Sequence, residues 1–129
     1  MLEFDDVSLF TFTDSSCKKT CYLTQDLNNI TLKFTNTIVS CKDMFRGLGD
    51  IIEIDLSHFD TSEVISMQSM FRGCSKIISL DLSNLNTKKL KNISYMFCRC
   101  TNLQSIDFGF SYNTFQNFAI LGLDACFPF

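Results

Sequence analysis

Residues 70–87 read MFRGCSKIISLDLSNLNT, and much of this stretch returns at a fixed distance in both directions along the chain. Its opening Met-Phe pair, at Met70, also occurs at Met44 and at Met96, and both intervals equal 26. A constant period of this length indicates a solenoid, in which successive units stack and share one continuous core. The repeat therefore predicts most of the architecture before any other feature is considered.

The repeat divides the chain of 129 residues into three parts. Residues 1–26 show no repeat and are expected to form an irregular N-terminal cap or leader. Residues 27–121 form the predicted leucine-rich-repeat solenoid, and residues 122–129 form the predicted C-terminal cap. The full units are 44–69, 70–95 and 96–121. Ten of the 26 positions are identical between the first two units, and five between the second and the third.

Each unit is predicted to contain a short parallel strand followed by a short helix, so the fold class is α/β. Polar and apolar residues alternate around Leu80 and Leu82, which places both side chains inward from a strand. Strands of successive units should be parallel because each returns after a full coil. Residues 60–63, Asp-Thr-Ser-Glu, have the pattern of a helix start. The apolar residues that follow have helical spacing: Val64, Met67, Met70 and Phe71.

Composition excludes several classes of function. The net charge of −3 argues against a nucleic-acid partner, which would need a basic face. The hydrophobic fraction of 46% is ample for a core, yet no apolar run reaches the length of a membrane span. The first residues, 1–6, lack the basic end and apolar stretch of a signal peptide, so none is visible in this chain.

The seven cysteines include three that share one repeat position: Cys74, Cys100 and Cys126. We favour a buried column of small apolar side chains at this position. Disulfide pairing within the column or with Cys98 is the alternative and would imply an oxidising compartment. Zinc binding by these cysteines is a third and weaker alternative, because His58, the only histidine, is far from them in the sequence. No metal or cofactor is predicted.

The polar positions of the strands form rows, one step per unit, on what we call the strand face. Its candidate binding residues are Glu53, Asp55, Ser57, His58, Ser79, Asp81, Ser83, Asn84, Ser105, Asp107 and Phe110. A row of aspartates is repulsive. A cation or a partner's lysine or arginine would offset the repulsion. Alternatively, each carboxylate accepts hydrogen bonds from nearby hydroxyls or turn amides, which is the explanation we favour.

Catalysis is not predicted, because the carboxylates recur as a repeat position, as structural residues do. No nucleophile elbow and no glycine-rich phosphate loop is present in the sequence. Two tripeptides, beginning at Asn29 and Asn92, match the acceptor pattern for N-glycosylation. They matter only if the chain passes through a eukaryotic secretory route.

Two stretches resemble the BspA-like leucine-rich-repeat surface proteins: residues 70–87, and residues 54–64, which read IDLSHFDTSEV. The resemblance covers about residues 27–109. It implies a location at the cell surface or outside the cell, and a role in adhesion through a protein or cell-surface partner that contacts the strand face. The alternative is a structural spacer or truncated repeat fragment without its own ligand. Self-association is a further possibility for such a fragment.

Overall fold

The computed structural model describes residues 7–12, 29–34 and 36–109. The chain forms two compact units, Met1–Thr37 and Ile38–Phe129. The described residues contain four strands and no helix.

The first compact unit contains two parallel strands, β1 (Val7–Phe12) and β2 (Asn29–Phe34). Their register runs from the pair Val7 and Asn29 to the pair Phe12 and Phe34. Strand β1 lies in the segment that was expected to be irregular. The spacing between paired residues is 22, shorter than the 26 of the repeat, so the period does not reveal this pair.

The second compact unit contains β3 (Ser79–Asp81) and β4 (Ser105–Asp107), which pair in parallel one repeat apart. Leu80 and Leu82 are each 3% exposed, so the prediction that both point inward is confirmed. The amide of Leu82 donates to the Asp107 carbonyl at 2.7 Å and extends the contact beyond the strands. The equivalent residues of the first unit, 53–55, belong to no strand.

Successive repeats also contact each other about half a repeat away from the strands. We call this second set of contacts the turn ladder (residues 39–48, 65–74 and 91–100). Parallel bridges link Ser40 to Ser66 and Ser66 to Asn92. Alternate amides in each unit donate to carbonyls of the next unit, at 2.8–3.0 Å. The donors are Cys41, Asp43, Phe45 and Gly47 in one unit and Met67, Ser69, Phe71 and Gly73 in the next.

Turns take the place of the predicted helix in residues 61–74. A helix needs each amide to donate to the carbonyl four residues earlier. Here the amides of Met70, Arg72 and Cys74 donate three residues back, while those between them donate to the next unit. Ser69 has φ +55° and Gly73 has φ +80°, left-handed values that interrupt a right-handed helix.

The side chains predicted for the inner face of that helix are nevertheless buried, since Val64, Met67, Met70 and Phe71 are at most 1% exposed. Phe71 stacks between two repeat mates. Its ring centroid lies 5.6 Å from that of Phe45 and 6.0 Å from that of Phe97, with interplanar angles of 14° and 4°. Such stacking adds roughly 0.5–1.5 kcal/mol per pair to the free energy of burial.

The cysteine column is confirmed for the two members that the structure describes. Cys74 and Cys100 are buried free thiols, and their sulfur atoms lie 3.1 Å and 3.0 Å from the carbonyl oxygens of Phe45 and Phe71. Burial raises the pKa of Cys74 to about 11 and also raises that of Cys100. Cys98 is a buried free thiol as well, and Cys126 lies outside the described residues.

Candidate binding face

Strand-face residues of the second and third units lie beside their repeat mates. The pairing of β3 with β4 places Ser79 beside Ser105 and Asp81 beside Asp107. A Cβ atom built on Gly109 would lie 3.1 Å from the Ser83 Cβ, so these repeat mates are adjacent too. The described candidate residues are exposed to solvent, and Phe110 lies outside the described residues.

Each aspartate of the row is held by its own turn. The Asp55 and Asp81 Oδ1 atoms accept from the amides two residues later, at Ser57 and Ser83, both at 2.9 Å. Asp107 accepts in the same way from the Gly109 amide at 2.8 Å. The expectation that turn amides and hydroxyls would satisfy these carboxylates is therefore confirmed.

These hydrogen bonds favour the charged forms of Asp55 and Asp81. The Ser57 hydroxyl and amide lower the pKa of Asp55. The Ser83 hydroxyl and amide lower the pKa of Asp81, although the charge of Asp55 opposes that shift. At neutral pH the face presents a line of negative charges.

His58 contacts its neighbour on the same exposed turn. The Ser57 Oγ and the His58 Nδ1 atoms are 2.9 Å apart. The corresponding residues of the next unit are Ser83 and Asn84, so the imidazole is not a repeated feature. Both side chains are exposed, and an ordinary hydrogen bond between adjacent surface residues explains the contact.

An apolar row borders the carboxylates and was not anticipated from the sequence. Ile52 and Ile78, one repeat apart, are 55% and 54% exposed. They follow Ile51, which is half-buried, and Ile77, which is buried; these two carry the leucine-rich pattern. The signal that could have revealed the exposed row was the second isoleucine of each Ile-Ile pair, which is out of phase with the inward positions.

The two glycosylation acceptor patterns occupy structured backbone. Asn92 is half-buried in the turn ladder, and its Oδ1 atom accepts from the Ser94 amide at 2.9 Å. Ile93, between them, is fully buried. Asn29 begins β2.

The described parts of the chain offer neither a metal site nor a membrane span. Residues 7–12, 29–34 and 36–109 contain no group of three or more histidine, cysteine, aspartate or glutamate side chains that could hold a metal ion. Over the same ranges, no helix has the length and apolar character to cross a membrane.

Comparison with known proteins identifies one related family. A family model described as "Mycoplasma protein of unknown function, DUF285" matches residues 13–120. No protein of curated function and no solved structure matches the chain significantly.

Proposed function

The chain belongs to the DUF285 family, and we propose that it is a non-catalytic protein-binding or adhesion module whose strand face contacts the partner. The proposed location is the cell surface or the outside of the cell, as the resemblance to the BspA-like surface proteins implies. The proposed fold is a short leucine-rich-repeat solenoid similar to the BspA-like proteins. Parallel contacts one repeat apart, in β3–β4 and in the turn ladder, support it.

One observation carries the binding proposal: the charge of the aspartate row is not needed by the turns that hold it. Asn86 and Asn92 make the same turn without a charge, because their Oδ1 atoms accept from the amides two residues later at 3.1 Å and 2.9 Å. Asparagine at positions 55, 81 and 107 would keep these bonds and remove the repulsion. A charge that recurs at one repeat position without a structural need is expected at a functional site.

The surroundings of the row favour binding over catalysis. Asp55 and Asp81 are exposed, and hydrogen bonds lower their pKa values, whereas an activated base is typically buried with a raised pKa. A partner's lysine or arginine would instead relieve the repulsion between neighbouring carboxylates. Ile52 and Ile78, exposed beside the row, add apolar area that a partner could bury.

The test replaces Asp55, Asp81 and Asp107 together by asparagine. The probe is attachment of the fluorescently labelled chain to cultured animal cells. Attachment of the natural chain should be saturable, and the triple variant should bind about tenfold more weakly because three lost charge pairs at about 0.5 kcal/mol each total about 1.5 kcal/mol.

Asp60→Asn is the matched control. Asp60 accepts from the Ser62 amide at 2.9 Å in the same kind of turn, but it is not a member of the aspartate row. Its variant should bind like the natural chain. Equal attachment of the correctly folded triple variant would show that the strand face is not the site, and absence of saturable attachment by the natural chain would favour a structural spacer.

A further inference from the structure

The charged side chains of the second compact unit are sorted by face. Residues 36–109 contain eight acidic and eight basic side chains, not counting His58. Three close pairs neutralise six of these sixteen: Arg46–Asp43 at 3.2 Å, Lys76–Asp50 at 2.7 Å and Lys89–Glu63 at 2.6 Å. The acidic side chains left without an ion pair in this range are Glu53, Asp55, Asp60, Asp81 and Asp107. All but Asp60 belong to the strand face.

The basic side chains left without an ion pair lie elsewhere. They are Lys42, Arg72, Lys88, Lys91 and Arg99 within residues 36–109. Four of them are on the turn ladder, and Lys88 lies shortly before its third segment. Arg72 instead stacks its guanidinium carbon 5.7 Å from the centroid of the Tyr95 ring. Residues 36–109 thus carry unpaired acidic and basic side chains in different places, although the numbers of acidic and basic groups in this range are equal.

Both faces also expose a pair of aliphatic side chains at the same spacing. On the turn ladder these are Val39 and Ile65, which are 51% and 42% exposed. The amide of Ile65 donates to the Val39 carbonyl at 2.9 Å, and the Lys91 amide donates to the Ile65 carbonyl at 2.9 Å, so the row continues from two aliphatic residues into a lysine. Ile52 and Ile78 form the corresponding pair beside the carboxylates.

We propose that the turn ladder of one copy docks on the strand face of a second copy. This inference rests on the proposed function, because it names a second copy of this chain as a partner of that face. Val39 and Ile52 are half a repeat apart in sequence, as are Ile65 and Ile78. In a coil that closes once per repeat, positions half a repeat apart lie on opposite sides, so both faces of one copy can be engaged at once.

Charge decides which faces meet. Two strand faces in contact would oppose eight carboxylates, and two turn ladders would oppose their lysines and arginines, so either symmetric dimer is disfavoured. Contact between unlike faces pairs opposite charges and lets the aliphatic pairs pack one repeat apart on each side. Such a head-to-tail contact does not close on itself, and it predicts chains of copies that lengthen with concentration.

Sedimentation velocity of the whole chain tests the proposal. The weight-average sedimentation coefficient should rise with protein concentration at about 0.02 M salt, where screening is weak. Raising the salt to about 0.5 M should weaken the association at least about tenfold, since exposed charges are screened beyond about a Debye length. A natural chain that stays monomeric at low salt up to millimolar concentration would overturn the proposal.

Two variants identify the geometry of the contact. The strand-face variant carries Asp55→Lys and Asp81→Lys, and the turn-ladder variant carries Lys42→Glu and Lys91→Glu; all four positions are exposed. Each variant alone should be monomeric, with circular dichroism like that of the natural chain; the strand-face variant should also have a lower thermal midpoint, because lysine does not accept from the Ser57 and Ser83 amides. An equimolar mixture should form a one-to-one dimer that grows no further, because each partner retains one intact, complementary face.

The outcomes separate this proposal from the proposed function. Failure of the mixture to form dimers, or full association by either folded variant alone, would overturn head-to-tail docking. Cell attachment is measured at about 10 nM, below the range in which weakly associating copies meet. Attachment that persists there in a chain that never self-associates would refute only the self-docking, whereas loss of attachment by the aspartate variant concerns the proposed function alone.

Discussion

Replacing Arg99 by glycine should stabilise the protein, because Arg99 occupies a backbone conformation that the repeat otherwise assigns to glycine. Its repeat mates are Gly47 and Gly73, whose φ angles are +78° and +80°, and Arg99 itself has φ +63°. A residue with a Cβ atom costs about 1–2 kcal/mol in this left-handed region. Glycine itself lowers the free energy of unfolding by about 0.5–1 kcal/mol, because it loses more conformational entropy on folding. The net gain should be about 0.5–1 kcal/mol.

Urea unfolding measures this gain as a higher midpoint at an unchanged m-value. For a domain of this size, the thermal midpoint should rise by about 3 °C. Arg99→Ala is the control, since it removes the side chain but keeps the Cβ atom. The glycine effect is the difference between the two variants. Because Arg99 is exposed, the alanine variant should differ little from the natural chain.

The reverse change should cost stability at the other two positions. Alanine at Gly47 would meet no atom within 4 Å, and alanine at Gly73 would meet Gly47 only at ordinary contact distances of 3.6–3.7 Å. Backbone strain is thus the main cost in both, and we expect each to lose about 1 kcal/mol. A stabilising Gly47→Ala, or an Arg99→Gly less stable than Arg99→Ala, would refute the reasoning.

Three further predictions follow from the core and the carboxylates. Phe71→Ala should lower the free energy of unfolding by roughly 3–5 kcal/mol, because it empties a fully buried site between two stacked rings; a loss below about 1 kcal/mol in urea titration would contradict this. Burial raises the pKa of Cys41 to about 12, so its thiol should resist a thiol reagent at pH 8 until urea is added, and rapid native reaction at that residue, located by mass spectrometry, would disprove it. The folded pKa of Asp81 lies below its unfolded value of 3.8, so its contribution to stability is present above that pH and is lost as pH falls through the folded pKa. The urea midpoint of Asp81→Asn should therefore fall less between pH 5 and pH 3 than that of the natural chain, and parallel acid profiles would argue against it.

The inward positions of the repeat were predictable because burial depends on periodicity more than on backbone conformation. Leu80 and Leu82 are buried as the alternation indicated. Val64 and Phe71 are buried although residues 36–109 contain no helix of the kind that was invoked for them. A helix and a series of tight turns both return an apolar side chain inward every three or four residues. Their hydrophobic patterns are therefore nearly the same, and the pattern alone does not distinguish them.

The details that separate turns from a helix lie in backbone conformation and in contacts between units. Ser69 and Tyr95, with φ +55° and +59°, give no sign in the sequence of left-handed backbone. Thr61 was assigned to a helix start, but its Oγ1 accepts from the Asn86 amide at 2.7 Å and donates to the Asn86 carbonyl at 3.1 Å. A hydroxyl that joins two units has the same local sequence as one that caps a helix.

Repetition by itself does not mark a functional residue in a chain of this kind, since packing alone repeats Phe45, Phe71 and Phe97. The informative positions are those that repeat without a structural requirement. Asp81 keeps a charge that asparagine could replace in the same turn, as Asn92 shows. Exposed Ile52 and Ile78 repeat where no core needs them. The aspartates belong to the strand face and the isoleucines directly precede its residues Glu53 and Ser79 in the sequence, and for this reason we place the binding site there.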